Sequence, residues 1–149
     1  LIKQRNPGYT PEEIKTIVKN TAQTLPNFEE ITTQGFGLVD AKKAVFFDTP
    51  LAVSLEPIEQ NSRFISINGN IKGAGFNSYT LSYARKMPIA QITQWTKIAS
   101  SSKLPANNIL YEKFNTETMQ DGEYLIRLEV SDKQGRKFYD YGYLKIEKF

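Results

Sequence analysis

The chain contains no histidine and no cysteine. Without histidine it lacks the usual general base near neutral pH and the commonest metal ligand, and without cysteine it has no disulfide framework and no thiolate zinc site. Serines occur at Ser62, Ser78 and in the run Ser100-Ser101-Ser102. A serine hydroxyl attacks a carbonyl only when a base takes its proton, and in the triad mechanism that base is an imidazole. These serines therefore read as turn and loop residues, and no catalytic residue is assigned. Asp121, Asp132 and Asp140 stand at turn-like or strand positions where their oxygens could ligate calcium. None sits in an EF-hand spacing or a dense acidic cluster, so turn formation is the expectation, with no metal and no cofactor.

The remaining candidates for recognition are aromatic. Trp95 is the only tryptophan, with Ile92 and Ile98 close by in sequence. Exposed, it would stack on a sugar ring; between two β-sheets it would fill the core, and the core is the expectation. Tyr139, Tyr141 and Tyr143 share one parity of the last expected strand, whereas Leu144 and Ile146 share the other. That pattern implies a bulge, or a change of inward parity at Gly142. The tyrosines would then line an outer face and bind a polysaccharide or a partner protein, pack against the N-terminal part, or cover a sheet edge.

Composition narrows the class. The net charge of +3 arises from 19 basic and 16 acidic residues scattered among one another, without the basic block that nucleic-acid binding calls for. No apolar run approaches the roughly 20 residues of a membrane span. A chain free of cysteine suits either a reducing compartment or a cysteine-poor exoprotein. It opens Leu1-Ile2-Lys3, with neither an initiator methionine nor the build of a signal peptide, which suggests a piece of something longer.

Two periodicities divide the 149 residues. Ile14, Ile17, Val18, Ala22 and Leu25 recur at three-and-four spacing and predict a helix over 10–25, started by a Thr10/Glu13 capping box with Pro11 in the first turn and stopped by Pro26. Asp40 caps a second short helix over 41–45, entered through a turn that contains Gly35 and Gly37. From Leu51 the period becomes two, and seven strands are expected near 51–57, 63–72, 78–85, 93–99, 108–114, 123–131 and 137–147. Asp132-Lys133-Gln134-Gly135 forms the last hairpin, and Asn68-Gly69 is either a tight hairpin or a bulge. Asp121-Gly122-Glu123-Tyr124 is the entry to a strand with a buried Tyr124 whose hydroxyl bonds backbone, as in a tyrosine corner. The expected fold is mainly β: a seven-stranded antiparallel sandwich of immunoglobulin or fibronectin type over 50–149, preceded by a helical segment over 1–49. About 46 residues supply too little surface to close a core, so the helical segment is expected to fold back onto the sandwich, to pair with another chain or to meet the missing protease part, with self-association through Ile14, Ile17 and Val18 the favoured outcome.

Three blocks in the first 46 residues carry a resemblance. Leu1-Ile2-Lys3-Gln4-Arg5-Asn6-Pro7 looks like the tail of the buried helix that follows the catalytic serine in subtilisin-like serine proteases. Thr10-Pro11-Glu12-Glu13-Ile14 with Asn20-Thr21-Ala22 resembles the next surface helix of that family, and Gly35-Phe36-Gly37-Leu38-Val39-Asp40-Ala41 resembles its last turn and helix. The resemblance implies the helical remnant of an α/β protease domain whose catalytic aspartate, histidine, asparagine and serine all lie upstream. It also implies a secreted or cell-surface parent, a partner in the missing upstream part of the protease domain, and a fragment inactive by itself. On Gly75-Phe76-Asn77-Ser78-Tyr79-Thr80-Leu81, Trp95-Thr96-Lys97-Ile98 and Asp121-Gly122-Glu123-Tyr124, the rest is similar to β-sandwich modules appended to extracellular proteases. Such a module would support, space or target the protease; the alternative is a carbohydrate- or protein-binding module of a surface protein.

Overall fold

The structure is a computed structural model that describes residues 1–23, 35–48 and 50–148. After one helical turn, α1 (Ile2–Arg5), comes α2 (Pro11–Thr21). The capping box closes in both directions: Glu13 N donates to Thr10 Oγ1 at 3.2 Å, and Thr10 N donates to Glu13 Oε2 at 2.7 Å. α2 ends at Thr21, short of the expected span, because Gln23 and Leu38 exchange two backbone hydrogen bonds (2.7 and 2.9 Å) that draw the chain out of the helix. Leu25 and Pro26 lie outside the described residues. Across that bridge, Gly35 (φ +63°) and Gly37 (φ +103°) make the left-handed turn, and Asp40 Oδ1 accepts from Lys43 N at 2.9 Å to start α3 (Ala41–Val45).

Seven strands follow: β1 (Ala52–Leu55), β2 (Phe64–Lys72), β3 (Phe76–Arg85), β4 (Thr96–Ser101), β5 (Ile109–Asn115), β6 (Gly122–Asp132) and β7 (Lys137–Ile146). They form two antiparallel sheets, β1-β2-β5 and β4-β3-β6-β7. The inward positions of both supply one apolar cluster, with Ile67, Leu81, Ile126, Leu128, Val130, Phe138 and Leu144 fully buried. Burying a side chain of this kind is worth about 1.5–3 kcal/mol relative to leaving it in water.

β6 and β7 pair without a slip from Gly122↔Ile146 to Ser131↔Lys137. Phe138, Asp140, Leu144 and Ile146 all face inward, so β7 keeps one inward parity throughout and needs no bulge, contrary to the expectation at Gly142. That glycine has a packing reason instead: a Cβ there would stand 2.7 Å from Ile58 Cδ1. Asn68-Gly69 runs straight through β2 and makes no hairpin. The irregularity lies across from it in β5, where the pairing shifts twice and Lys113 adopts φ +56°.

α2 packs over the seam where the edge strands β1 and β7 of the two sheets meet. Thr16 Oγ1 accepts from Val53 N at 3.0 Å, Asn20 Oδ1 accepts from Tyr139 N at 2.8 Å, and Lys19 pairs with Asp140, whose Oδ2 accepts from Leu55 N at 2.8 Å. One helix thereby satisfies edge amides of both sheets. Ile17 is fully buried beneath it, which corrects the expectation that this residue mediates self-association: the sandwiched seam is its partner. Ile14 and Val18 are half-buried, whereas Leu38, Val39 and Phe46 stay exposed. Phe47 completes the join, meeting Phe138 edge-on at 5.8 Å.

Candidate functional site

Alternation places Leu125, Arg127 and Glu129 of β6 opposite Tyr143, Tyr141 and Tyr139 of β7 on the outer face of the four-stranded sheet. The tyrosines therefore occupy the outer face that the sequence predicts, each half-buried. Trp95 joins them. The 3-10 turn Ile89–Gln91 delays β4 until Thr96, so Trp95 precedes the strand and lies outside the inter-sheet cluster, contrary to its expected core position. Its ring centroid lies 4.3 Å from the Arg127 guanidinium carbon, a cation–π contact, and 6.1 Å from the Tyr141 ring. Arg127 Nε donates to Ser82 Oγ at 3.3 Å, which fixes the guanidinium between the sheet and the indole. Tyr139 and Tyr141 stack at 6.5 Å, and Phe36 meets Tyr141 at 5.8 Å beneath Lys19.

Burial pushes the Tyr141 phenol up to about 12. Tyr139 is also raised, by burial first and then by the neighbouring Glu129 charge. Tyr143 donates a short hydrogen bond to Glu123, which raises the phenol and lowers the carboxyl. All three are neutral phenols at pH 7, so the face offers flat rings, hydroxyl donors, one guanidinium and the Glu129 carboxylate, which is paired with Lys137. Rings and a guanidinium arranged this way are groups suited to stacking.

The other expected residues are dispersed. Tyr124 is buried, and its hydroxyl donates to Gln120 O at 2.9 Å across the turn that Gly122 (φ +142°) makes possible. Asp40 accepts from Gln23 Nε2 as well as from Lys43 N, and its carboxyl is lowered first by the backbone bond and then by the side-chain bond. Asp121 accepts from Lys148 N at 3.1 Å. Asp132 Oδ1 holds the amides of Gln134 and Arg136 at 2.9 and 2.8 Å, with Arg136 Nε on Oδ2 at 2.7 Å. Among the described residues no group of three or more acidic side chains comes together in a form that could hold a metal, and no helix is long and apolar enough to cross a membrane.

Sequence reasoning missed Asp140, Thr16, Lys19 and Asn20 as a set. One signal was legible: Asp140 occupies an inward position between Phe138 and Leu144, and a charge on the core face of a strand requires a partner. Comparison of the chain with profiles of known protein families, with curated proteins and with solved structures returned no match.

Proposed function

We propose that this chain is the C-terminal portion of a subtilisin-like serine endopeptidase, non-catalytic by itself, whose β-sandwich braces the end of a secreted or surface-held protease domain. The three N-terminal sequence blocks support the family. The supporting observation for the bracing role is the seam under α2, where Thr16, Lys19, Asn20 and buried Ile17 join the proposed protease tail to both sheets. The division into β1-β2-β5 and β4-β3-β6-β7 supports an immunoglobulin/fibronectin-like class, with the fourth strand moved beside the third. With no histidine to activate a serine, hydrolysis belongs to the parent. Reading the gene upstream of the Leu1 codon is expected to give a Gly-Thr-Ser-Met-Ala motif opening the helix that ends in Leu1–Pro7. A coding sequence there without that motif overturns the reading, as does labelling of any serine of this chain by a fluorophosphonate.

A second reading, a carbohydrate- or protein-binding module, is favoured by the outward Trp95–Arg127–Tyr141 group. A saturable change in Trp95 fluorescence on titration with soluble polysaccharide, lost in Arg127→Ala, would support it. The absence of any change would count against this second reading and leave the first.

A further inference from the structure

The register of β7 identifies which of its backbone groups are already used. Tyr139 N bonds Asn20 and Glu147 N bonds Gln60 Oε1 at 2.8 Å, both pointing away from β6, so the odd-numbered residues between them present their amides and carbonyls to the open edge. Among the described residues, the edge-facing amides of Tyr141, Tyr143 and Lys145 have no partner. α2 closes one end of this edge and Gln60 the other, leaving a gap of about 20 Å from Tyr141 to Glu147 at the usual rise of a strand.

A cleft runs along the gap. One part, of about 660 Å³, lies between β7 and the 56–60 loop, with Glu56, Glu59 and Glu147 on its wall. The other, of about 330 Å³, shares Leu55, Tyr141, Gly142 and Tyr143 with the first and ends on Lys15 and Lys19. Glu147 is paired with Lys145, and Lys19 with Asp140. Glu59, next to the Gln60 that bonds Glu147, and Lys15 at the other end have no ion pair among the described residues, nor does Glu56, which follows Leu55 between them. The cleft is thus polarised along the strand, acidic toward Glu147 and basic toward Tyr139.

We infer that the open edge of β7 takes an additional strand: an extended peptide antiparallel to β7, basic in its N-terminal half and acidic in its C-terminal half. Antiparallel addition continues the pattern of the sheet, and it sets the peptide's N-terminal end beside Glu59, its middle near Glu56 and its C-terminal end beside Lys15. Main-chain hydrogen bonds to Tyr141 and Tyr143 would hold the peptide, and the end charges would fix its direction. The inference rests on the edge of this chain alone and stands or falls independently of what lies upstream of Leu1.

The test titrates the isotope-labelled full chain with capped Lys-Lys-Val-Thr-Val-Glu-Glu and follows backbone amides by NMR. Saturable shifts are expected at Tyr141 and Tyr143, with slowed amide exchange there, and with binding roughly tenfold weaker for the charge-swapped Glu-Glu-Val-Thr-Val-Lys-Lys. N-methylation of alternate peptide amides should abolish binding in one of the two registers. The double variant Glu56→Lys/Glu59→Lys, at two exposed side chains, should erase the preference between the two peptides while leaving the thermal midpoint in place. Equal affinity for both charge orders, shifts centred on Trp95 instead of β7, or no binding at millimolar peptide would each overturn the inference.

Discussion

Tyr124 and Asp132 each tie a turn to the sheet through hydrogen bonds that span two to four residues. Tyr124→Phe keeps the ring in the core and removes the bond to Gln120 O, so urea unfolding should register a loss on the order of 1 kcal/mol. For Asp132, burial opposes ionisation, but the Arg136 guanidinium and the two amides outweigh it and hold the carboxyl below its ordinary value of 3.8. A depressed folded-state pKa means that the unfolded chain binds the proton first. The stabilisation is therefore complete above about pH 4 and is lost as pH falls through the lower folded value. Asp132→Asn should lower the thermal midpoint at pH 7 and flatten its decline below pH 4, read by circular dichroism across a pH series. Two of the crowded glycines make a paired comparison. A Cβ at Gly69 would lie 2.6 Å from the backbone oxygen of Ser54, which is fixed by the sheet, whereas at Gly142 its one close contact is the tip of the Ile58 side chain at 2.7 Å. Gly69→Ala should therefore destabilise by about 1–3 kcal/mol and by more than Gly142→Ala.

At the scale of elements, α2 substitutes for the neighbouring strand that β1 and β7 lack. Its polar residues Thr16, Lys19 and Asn20 follow one another at three-residue and one-residue steps and so present one face to the seam. Asn20→Ala leaves the Tyr139 amide without its acceptor and should cost about 1–3 kcal/mol, with hydrogen exchange accelerated at Tyr139 while core amides such as Ile126 stay protected. Ile17→Ala opens a cavity in a fully buried site and should cost about 2–5 kcal/mol. Neither change should shift the sedimentation coefficient in the way the loss of a dimer contact would, because both act within one chain.

For the whole molecule, the seam packs the described residues 1–23 and 35–48 onto the two sheets: Phe47 meets Phe138, Arg136 bonds Asp48, and α2 spans both edges. Calorimetry of the full chain should show one cooperative transition. A truncation to 50–149 should melt at lower temperature and associate in a concentration-dependent way, since it bares the edge amides of Val53 and Tyr139 together. Two separate transitions in the full chain would contradict this account.

The sequence by itself determined the features that are closed within a few residues. The Thr10/Glu13 box, the Asp40 cap, the Asp132 turn, the Tyr124 corner and the existence of seven strands all depend on local spacing, and local spacing is what a sequence displays. Even the unbroken parity of β7 was there to be read once Phe138 is counted with Leu144 and Ile146. Only the tertiary structure decided where Trp95 lies and what covers Ile17, and only it showed that Asp140 has its partners in Lys19 and Leu55. These depend on residues far apart in the chain, Trp95 with Arg127 and Tyr141, Thr16 with Val53, and Asp140 with Lys19 and Leu55. No periodicity encodes such meetings; the packing of two twisted sheets, which leaves one seam open to a helix, creates them.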